Sequence, residues 1–429
     1  MSEDYLEIEL AYGREGLRTV VSHEYIDVIR PEFVPGLPDE SSAIRDHIRS
    51  PISTQPLRDQ IESNDKVVIV HTDITRATPN SRILPVLIEE ILSSGVSTSN
   101  ITLLNGLGTH RPQTDQELRG MLGDEIVDKY RCIQHNCFDE SELVYLGKTS
   151  YGSDVRINKT YLDADVKILT GFIEPHFFAG FSGGPKAVLP SLAGSESVFT
   201  NHSFGMIADP NSTWGITYGN PIWEEMLEVA LKTNPTFLLN VALNTRKEIT
   251  GIFAGDLVES HRKGCEFVRQ TAMVAVETPF DIVITTNSGY PLDQNLYQSI
   301  KGISAANQIV KKGGTIILYT ACEDGLPDHG RYAELLMKGK SPEGVLALVS
   351  QPGFSAHDQW QVQIQAQIQQ HANVHVFSDG LSEQQIIDAH FVPCLNLEDT
   401  LINLLKIYGS DARICVLPEG PLTIPYIGH

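Results

Sequence analysis

DVKILTGFIEPH, at residues 165–176, is a short apolar run that ends in glycine, glutamate, proline and histidine. Two earlier stretches follow the same plan, KVVIVHTD at residues 66–73 and NITLLNGLGTH at residues 100–110. Each predicts a buried strand that leads into a polar loop, and helical patterns follow at residues 80–94 and 114–122. This strand-then-helix order predicts a parallel sheet with helices on both faces.

A second series of apolar runs begins near residue 281 and predicts a second α/β domain. The helical stretches within this series cover residues 296–312, 359–371 and 397–408. The first 35 residues alternate instead like antiparallel strands. The runs of the second series are DIVITTNSGYP, TIILYTACEDG, NVHVFSDG and RICVLPEG.

We therefore expect two Rossmann-like α/β domains with the active site in the cleft between them. An N-terminal cofactor-binding domain is predicted for residues 1–275, completed by residues 409–429, and a C-terminal domain for residues 276–408. Ligands of such sheets bind beyond the carboxyl ends of the strands, where the polar loops of this chain lie.

Composition narrows the class of protein. The chain has 429 residues and a formal net charge of −22, which argues against a nucleic-acid partner because phosphate binding needs a basic face. The sequence has no apolar run of about 18 residues and no signal-like start, so we expect no membrane partner and a cytoplasmic location. The six scattered cysteines are expected to be free thiols.

Two of the strand-end loops carry candidate functional groups. In DITRATP at residues 73–79, Asp73 and Arg76 could orient a substrate carboxylate; a helix cap beside a surface arginine explains the same residues. In GLGTHRP at residues 106–112, His110 could act as an acid or base. A solvated loop histidine is the alternative.

The third loop, GFIEPHFFAGFSGGPK at residues 171–186, is the most specific. Gly180 and Lys186 have the spacing of a Walker A loop, but Pro185 and Ala187 replace its second glycine and its hydroxyl residue. The turn therefore predicts a nest for a phosphate-bearing small molecule and no ATPase. The chemistry-bearing residues of the block are His176, Gly180, Ser182, Gly183, Gly184 and Lys186.

Further candidates lie in the second half of the chain and near residue 202. In GYPLDQNLYQSIKG at residues 289–302, Tyr297, Gln298 and Lys301 share one face of a helix start. Lysine there opposes the helix dipole, which points to a bound anion; an ordinary exposed helix lysine is the alternative. His176 and His202 could bind a metal, although their spacing fits no helix-based or zinc-ribbon pattern. Trp360 could stack on a flat ring or pack in the core.

Taken together, these blocks resemble the lactate racemase family, the nickel-pincer-nucleotide 2-hydroxyacid racemases and epimerases. The resemblance covers nearly the whole chain, and the blocks come in the order of the family. Pro185 and Ala187 depart from the pattern, which has arginine and serine there. The carrying blocks are DITRATP (73–79), GTHRP (108–112), GFIEPHFFAGFSGGPK (171–186), NHS (201–203), FAGD (253–256) and GYPLDQNLYQSIKG (289–302).

The resemblance implies a cofactor made of nickel and pyridinium-3-thioamide-5-thiocarboxylic acid mononucleotide. Lys186 would bind this nucleotide, with a covalent bond left open by Pro185, and His202 would be the protein ligand of nickel. Trp360 would lie near the cofactor. The other implied cofactor-binding residues are Gly180, Ser182, Gly183 and Gly184.

The implied reaction is reversible hydride transfer from C2 of a 2-hydroxy acid. His110 and His176 would be the acid/base pair, and Asp73 would orient its neighbours. The substrate carboxylate would be held by Arg76 and Lys301, with Tyr297 and Gln298. A C2 hydrogen beside a carboxylate is a poor acid, so that hydride removal by an electron-poor ring is the easier route.

The resemblance also implies partners. These are a small anionic 2-hydroxy acid and the proteins that make the cofactor; a homo-oligomer and the identity of the acid stay open. Two other functions remain as alternatives. One keeps the cofactor but performs redox or dehydratase-type chemistry on a hydroxy acid, and the other is a non-catalytic nucleotide-binding module.

Overall fold

The computed structural model describes residues 5–327 and 330–428. Its internal contacts divide the chain into two compact units. Unit 1 holds the residues up to Glu32, the segment His202–Ala208 and the residues from Ala272 onward, and unit 2 holds Phe33–Asn201 and Asp209–Thr271. No helix in these described ranges combines the length and apolar character needed to cross a bilayer.

Most of the strands are short and apolar. In chain order they are β1 (Tyr5–Leu10), β2 (Leu17–Ser22), β3 (Ile26–Val28), β4 (Val67–Thr72), β5 (Ile101–Gly106), β6 (Arg131–Gln134), β7 (Leu143–Lys148), β8 (Asp154–Asn158), β9 (Val166–Phe172), β10 (Pro175–His176), β11 (Gly180–Phe181), β12 (Phe237–Leu243), β13 (Ile249–Gly255), β14 (Met273–Val276), β15 (Phe280–Thr286), β16 (Val310–Tyr319), β17 (Asn373–Phe377), β18 (Val392–Pro393), β19 (Ile414–Leu417) and β20 (Ile424–Ile427).

The α-helices lie mainly between successive strands of the two main sheets. In chain order they are α1 (Glu40–Arg49), α2 (Asn80–Ser93), α3 (Asp115–Leu122), α4 (Asp124–Lys129), α5 (Lys159–Leu162), α6 (Ser195–Asn201), α7 (Phe204–Ala208), α8 (Pro221–Lys232), α9 (Leu257–Ala272), α10 (Leu296–Asn307), α11 (Tyr332–Gly339), α12 (Pro342–Val349), α13 (Gln359–His371), α14 (Glu383–Asp388) and α15 (Leu397–Tyr408).

Unit 2 is built on a six-stranded sheet with the order β13-β12-β9-β4-β5-β6. The pairs from β12 to β6 are parallel, and β13 is added antiparallel to β12. The strands are apolar along nearly their whole length, as expected for a parallel sheet covered on both faces. One face packs on α1 and α2 through Ile44, Ile48, Ile83 and Leu87.

Unit 1 contains a second six-stranded sheet, in the order β18-β17-β16-β15-β19-β3, and every pair in it is parallel. One face of this sheet is covered by α15 and by the antiparallel hairpin of β1 and β2. The predicted α/β class with parallel sheets is confirmed, and so are the antiparallel strands near the start of the chain.

The division of the chain differs from the predicted domains at both ends. Strand β3 pairs with β19, and β14 pairs with β20, so residues of both termini belong to unit 1. The prediction had placed residues 1–32 and 409–429 with the first domain. Sheet pairing is a long-range choice that the local strand pattern does not encode, because apolar parallel strands look alike in sequence.

Helix α10 also differs from its predicted range, residues 296–312. It ends at Asn307, and β16 begins at Val310. Val310 pairs with Phe280 of the neighbouring strand, and this buried contact favours strand over continued helix. The helices predicted for residues 359–371 and 397–408 are confirmed with the same bounds.

Three buried histidines of unit 2 make its stability depend on pH. Burial lowers the pKa of His71, His135 and His261 from 6.5 to about 4. Between pH 6.5 and about 4 the unfolded chain therefore binds more protons than the folded one. Their stabilisation is complete above pH 6.5 and is lost as the pH falls towards 4.

We expect His135→Gln to weaken this pH dependence. His135 bonds the Ala193 carbonyl at 3.0 Å and the Asn158 amide at 3.2 Å, and it carries no role in the candidate site. Each such histidine contributes up to about 1.4 kcal/mol per pH unit to the slope of the unfolding free energy. Urea denaturation at several pH values between 7 and 4.5 measures this slope. The difference in unfolding free energy between variant and wild type at pH 7 reports the lost hydrogen bonds. An unchanged slope in the variant would contradict the prediction.

Candidate active site

Three neighbouring strands of unit 2 deliver Asp73, His110 and His176 to one edge of its sheet. Strands β9, β4 and β5 lie side by side and parallel, and their carboxyl ends lead into the loops that hold these three residues. The predicted convergence of the three loops follows from this order. We call Asp73, Arg76, His110 and His176 the strand-end group.

The side chains of Asp73 and His110 are hydrogen-bonded to each other. The Nδ1 atom of His110 lies 2.5 Å from Oδ2 of Asp73, and the Thr75 hydroxyl donates to Oδ1 at 2.7 Å. Burial raises the pKa of the Asp73 carboxyl, but the charge and hydrogen bond of His110 outweigh it, and the pKa falls to about 2. An ionised carboxylate only accepts, so Nδ1 of His110 donates and Nε2 is left with the lone pair when the ring is neutral.

Arg76 belongs to the same loop. Its main-chain N–H donates to the Asp73 carbonyl at 3.2 Å, and its charge also lowers the pKa of the Asp73 carboxyl. The helix-cap alternative for Asp73 does not describe this loop, because α2 starts after Pro79 without a side-chain cap. The carboxylate of Asp73 instead accepts a hydrogen bond from His110.

His176 has the opposite hydrogen-bonding pattern. Its ring is buried against Phe177 and Phe178, and its Nδ1 accepts the main-chain N–H of Ala179 at 3.3 Å. Because an amide N–H can only donate, the proton of the neutral ring lies on Nε2. His110 and His176 are therefore complementary: the neutral ring of the first has its lone pair at Nε2, and that of the second has its proton there.

The glycine turn, which we define as residues 180–186, presents Lys186. Gly180, Gly183 and Gly184 have positive φ angles of 74°, 74° and 54°, so the turn needs glycine at these positions. Pro185 is buried at the start of a short 3₁₀ turn over Gly184–Ala187, a position that proline favours. Lys186 is 9% exposed, and its ammonium lies 5.5 Å from the centre of the Phe178 ring.

Two residues that the sequence did not indicate are hydrogen-bonded to the main chain of this turn. Asn240 on β12 accepts the Gly184 N–H at 2.7 Å, and His261 on α9 bonds the Ser182 carbonyl at 2.9 Å. A Cβ at Gly184 would lie 2.4 Å from the His261 ring. The available signal was a polar residue inside the buried run FLLNVAL, since a buried amide must have a hydrogen-bonding partner.

The glycines of the His110 loop serve packing. Gly108 donates its N–H to the Ser191 carbonyl at 2.9 Å, and a Cβ at Gly106 would lie 2.9 Å from the Cβ of Ser191. The Ser191 hydroxyl in turn donates to the Lys186 carbonyl at 2.7 Å. The loop of His110 and the turn of Lys186 are thus tied together through Ser191.

Gly180→Ala is expected to destabilise unit 2 by roughly 2–4 kcal/mol. The added Cβ would lie 2.1 Å from the Ile216 carbonyl oxygen, which is main chain and cannot rotate away. Gly120→Ala on α3 is the control, because a Cβ there meets nothing within 4 Å and alanine favours a helix. Urea denaturation of the apoprotein measures both; equal stability of the two variants would contradict the prediction.

In unit 1, the other predicted substrate residues lie in the first two turns of α10. The helix begins at Leu296, and Asn295 caps it by accepting the Gln298 N–H at 3.0 Å. Tyr297, Gln298 and Lys301 are each half-buried. The predicted helix start is confirmed at this position.

His202 and Trp360 lie together in unit 1 with Tyr297. The His202 ring packs edge-on against the Trp360 ring, with centroids 5.2 Å apart, and both side chains are buried. The Trp360 indole N–H donates to the Tyr297 hydroxyl at 3.3 Å. We call His202, Tyr297 and Trp360 the tryptophan group. The sequence left Trp360 undecided between stacking and core packing, and the structure shows packing against a histidine.

Within the described ranges, no group of three or more His, Cys, Asp or Glu side chains is arranged to hold a metal ion. Among the residues that the structure describes, His202 belongs to no such group, and its ring packs against Trp360. The six cysteines are free thiols.

Comparison with known proteins shows to which family this chain is related. The model of the lactate racemase N-terminal domain matches residues 12–215, and that of the lactate racemase C-terminal domain matches residues 275–424. A lactate racemase of Thermoanaerobacterium thermosaccharolyticum is 35% identical over 96% of this chain and 97% of its own length. One of Lactiplantibacillus plantarum is 36% identical over 89% of this chain and 90% of its own.

Solved structures agree with the sequence relatives. The lactate racemase apoprotein of T. thermosaccharolyticum superposes with a TM-score of 0.91 at 34% identity, over 98% of this chain and 100% of that one. A Thermotoga maritima protein shares the fold, with a TM-score of 0.69 at 17% identity over 92% of this chain and all of its own. The match to lactate racemases over nearly the whole chain identifies this protein as an enzyme, an isomerase. The chain belongs to the lactate racemase family.

Proposed function

We propose that this enzyme is a 2-hydroxyacid racemase that uses the nickel-pincer nucleotide, with lactate as the first substrate to test. The observation that carries the proposal is the placement of two histidines at one sheet edge, with Nδ1 of His110 bonded to Asp73 and Nδ1 of His176 bonded to a main-chain N–H. Its two lactate racemase relatives, 35% and 36% identical, support the choice of lactate.

His110 is the base for one enantiomer. Its Nε2 takes the proton of the substrate hydroxyl, and the Asp73 carboxylate stabilises the imidazolium that results. His176 is the acid: as the imidazolium, with Nδ1 also protonated and released from the Ala179 N–H, it returns its Nε2 proton to the keto oxygen when the product forms on the other face. This step leaves a neutral ring with its lone pair on Nε2. For the opposite enantiomer the two histidines exchange roles, which explains why a racemase needs both.

Arg76 and Lys301 are assigned to the substrate carboxylate, with Tyr297 and Gln298 as hydrogen-bonding partners. Each of these side chains is half-buried at a strand end or a helix start. A chain with a net charge of −22 repels a small anion overall, so that binding requires cations placed beside the reacting atoms. Arginine suits this task because its guanidinium pairs with a carboxylate in two hydrogen bonds.

The residues present fit the cofactor. The glycine turn holds a buried lysine, whose positive charge suits a phosphate-bearing molecule. Gly180, Ser182, Gly183, Gly184 and Lys186 are assigned to the cofactor. The imidazole of His202 suits nickel, and Trp360 provides an aromatic wall. When bound, the group supplies an electron-poor hydride acceptor for C2 of the substrate. The solved relative is described as an apoprotein, a term for a protein without its cofactor.

Loading of the cofactor needs dedicated biosynthetic proteins, which we propose as partners. Whether the nucleotide is covalently joined to Lys186 is measurable as an intact mass of the loaded protein. Pro185 removes the positive charge that the family pattern places beside the lysine, while it favours the 3₁₀ turn that presents Lys186. The proposal keeps Lys186 as a cofactor ligand with or without that bond.

The experiment uses one enantiomer of lactate carrying deuterium at C2, with protein that has verified nickel and cofactor. We expect optical activity to disappear while deuterium stays at C2, because the hydride returns without exchange with water. Hydrogen from solvent at C2 would show proton abstraction instead, and accumulating 2-keto acid would favour the redox alternative. If a broad panel of 2-hydroxy acids stays unchanged, the proposed function is wrong. Apoprotein from a host without the cofactor pathway is the control.

A further inference from the structure

Helix α13 carries an unusual series of buried glutamines. Its sequence, QWQVQIQAQIQQH, places glutamine at every second position from residue 359 to 365, and all four are at most 1% exposed. A buried primary amide costs free energy unless it is hydrogen-bonded. Apolar residues would fill these positions at a lower cost in free energy, so each buried amide needs a hydrogen-bonding partner.

Each of these amides donates to a main-chain carbonyl of another segment. Gln359 donates to the carbonyl of His202 at 3.4 Å, and Gln363 to that of Phe204 at 3.0 Å. Gln361 donates to the carbonyl of Tyr297. Gln365 donates to the carbonyl of Ala389 at 2.7 Å, outside the tryptophan group.

The amides of Gln359, Gln361 and Gln363 thus bind main-chain carbonyls at or next to the residues of the tryptophan group. Segment His202–Ala208 groups with unit 1, although the residues on either side of it group with unit 2. It contains only the short helix α7, Phe204–Ala208, which is too short to be stable by itself. Hydrogen bonds from α13 therefore give the segment a defined position.

We propose that Gln359 and Gln363 are positioning residues that fix the imidazole of His202 against Trp360. They thereby determine how tightly His202 binds the nickel of the cofactor. Gln359 also accepts the Ala356 N–H at 3.0 Å, which ties the start of α13 to the same point. Residues that orient a metal ligand typically change metal affinity about 10–100-fold when they are replaced. The nickel part of this proposal rests on the proposed function.

The test compares Gln363→Met with Gln365→Met. Methionine keeps the volume and the helix propensity of glutamine but removes the amide. Both glutamines are 0% exposed on the same helix. Gln365→Met loses at least as many hydrogen bonds as Gln363→Met, since the Gln365 amide also accepts the Tyr332 hydroxyl. The control variant therefore matches or exceeds the structural damage while leaving the carbonyls of residues 202–208 bonded.

The first measurement uses apoprotein labelled with ¹³C-histidine, with the His202 signal assigned through His202→Gln. Because the His202 ring lies edge-on to an indole, its resonance depends on the placement of the two rings. We expect this signal to shift or broaden in Gln363→Met and to stay in place in Gln365→Met. An unchanged signal in Gln363→Met, or equal changes in both variants, would overturn the positioning role.

The second measurement is the rate at which cofactor-loaded protein loses nickel to a chelator. We expect release about 10–100-fold faster in Gln363→Met and within about twofold of the wild type in Gln365→Met. Equal release in both variants would overturn the link to nickel. If the loaded wild-type protein holds no nickel, the proposed function fails, whereas the apoprotein spectrum still decides whether the glutamines position His202.

Discussion

Asp73→Asn lowers kcat for racemisation by about 10²–10⁴-fold, as we expect from the role of the carboxylate. The ionised carboxylate accepts Nδ1–H of His110 at 2.5 Å, which leaves the lone pair on Nε2. An asparagine amide can donate to Nδ1 and thereby select the opposite tautomer, in which Nε2 carries the proton and cannot act as a base. Steady-state polarimetry in both directions measures the loss.

The companion variants decide whether Asp73 and His110 act as a unit. His110→Asn is expected to cost about as much as Asp73→Asn, and the double variant is expected to cost little more than either alone, because residues that act together are not additive. Glu117→Gln is the matched control. It breaks the ion pair, 2.6 Å long, between Glu117 on α3 and Arg111, the neighbour of His110 in the chain, and should change kcat less than about twofold. Additive losses in the double variant would refute the pairing.

His202→Gln is expected to remove nickel from the loaded protein and to abolish racemisation. His202 is the one protein ligand that the proposal gives to the metal, so its loss exceeds the roughly 10–100-fold effect of a supporting residue. Metal analysis gives the ratio of nickel to protein, and intact mass shows whether the nucleotide is still present. A loss of nickel with the nucleotide retained is the expected pattern.

His371→Gln is the control for this variant. His371 lies at the end of α13 and bonds the Val310 carbonyl at 3.1 Å, in the same unit but apart from the tryptophan group. It should retain nickel and activity. If His202→Gln keeps a full complement of nickel, the assignment of the metal ligand is wrong.

Much of the site was predictable because its residues follow recognisable strands. Residues 66–73 and 100–110 read as buried strands with polar ends, and the carboxyl ends of parallel strands meet at one edge. Asp73, His110 and His176 were therefore expected to lie close together. Asn240 and His261 were not found, because each sits in an ordinary strand or helix and acts on a turn about 60–80 residues away in the chain.

The sequence by itself determined the α/β class, the strand-end loops, the glycine turn and the residue types that resemble one family. These are local features, since hydrophobic periodicity and short blocks are legible within a few residues. Tertiary structure alone decided which strands are neighbours, and it brought β3 and β19 together although nearly the whole chain lies between them. It also decided that Asp73 fixes the proton of His110, and that α13 holds the segment of His202. Hydrogen-bond partners and sheet neighbours come from distant parts of the chain, and a distant partner leaves no mark in a local pattern.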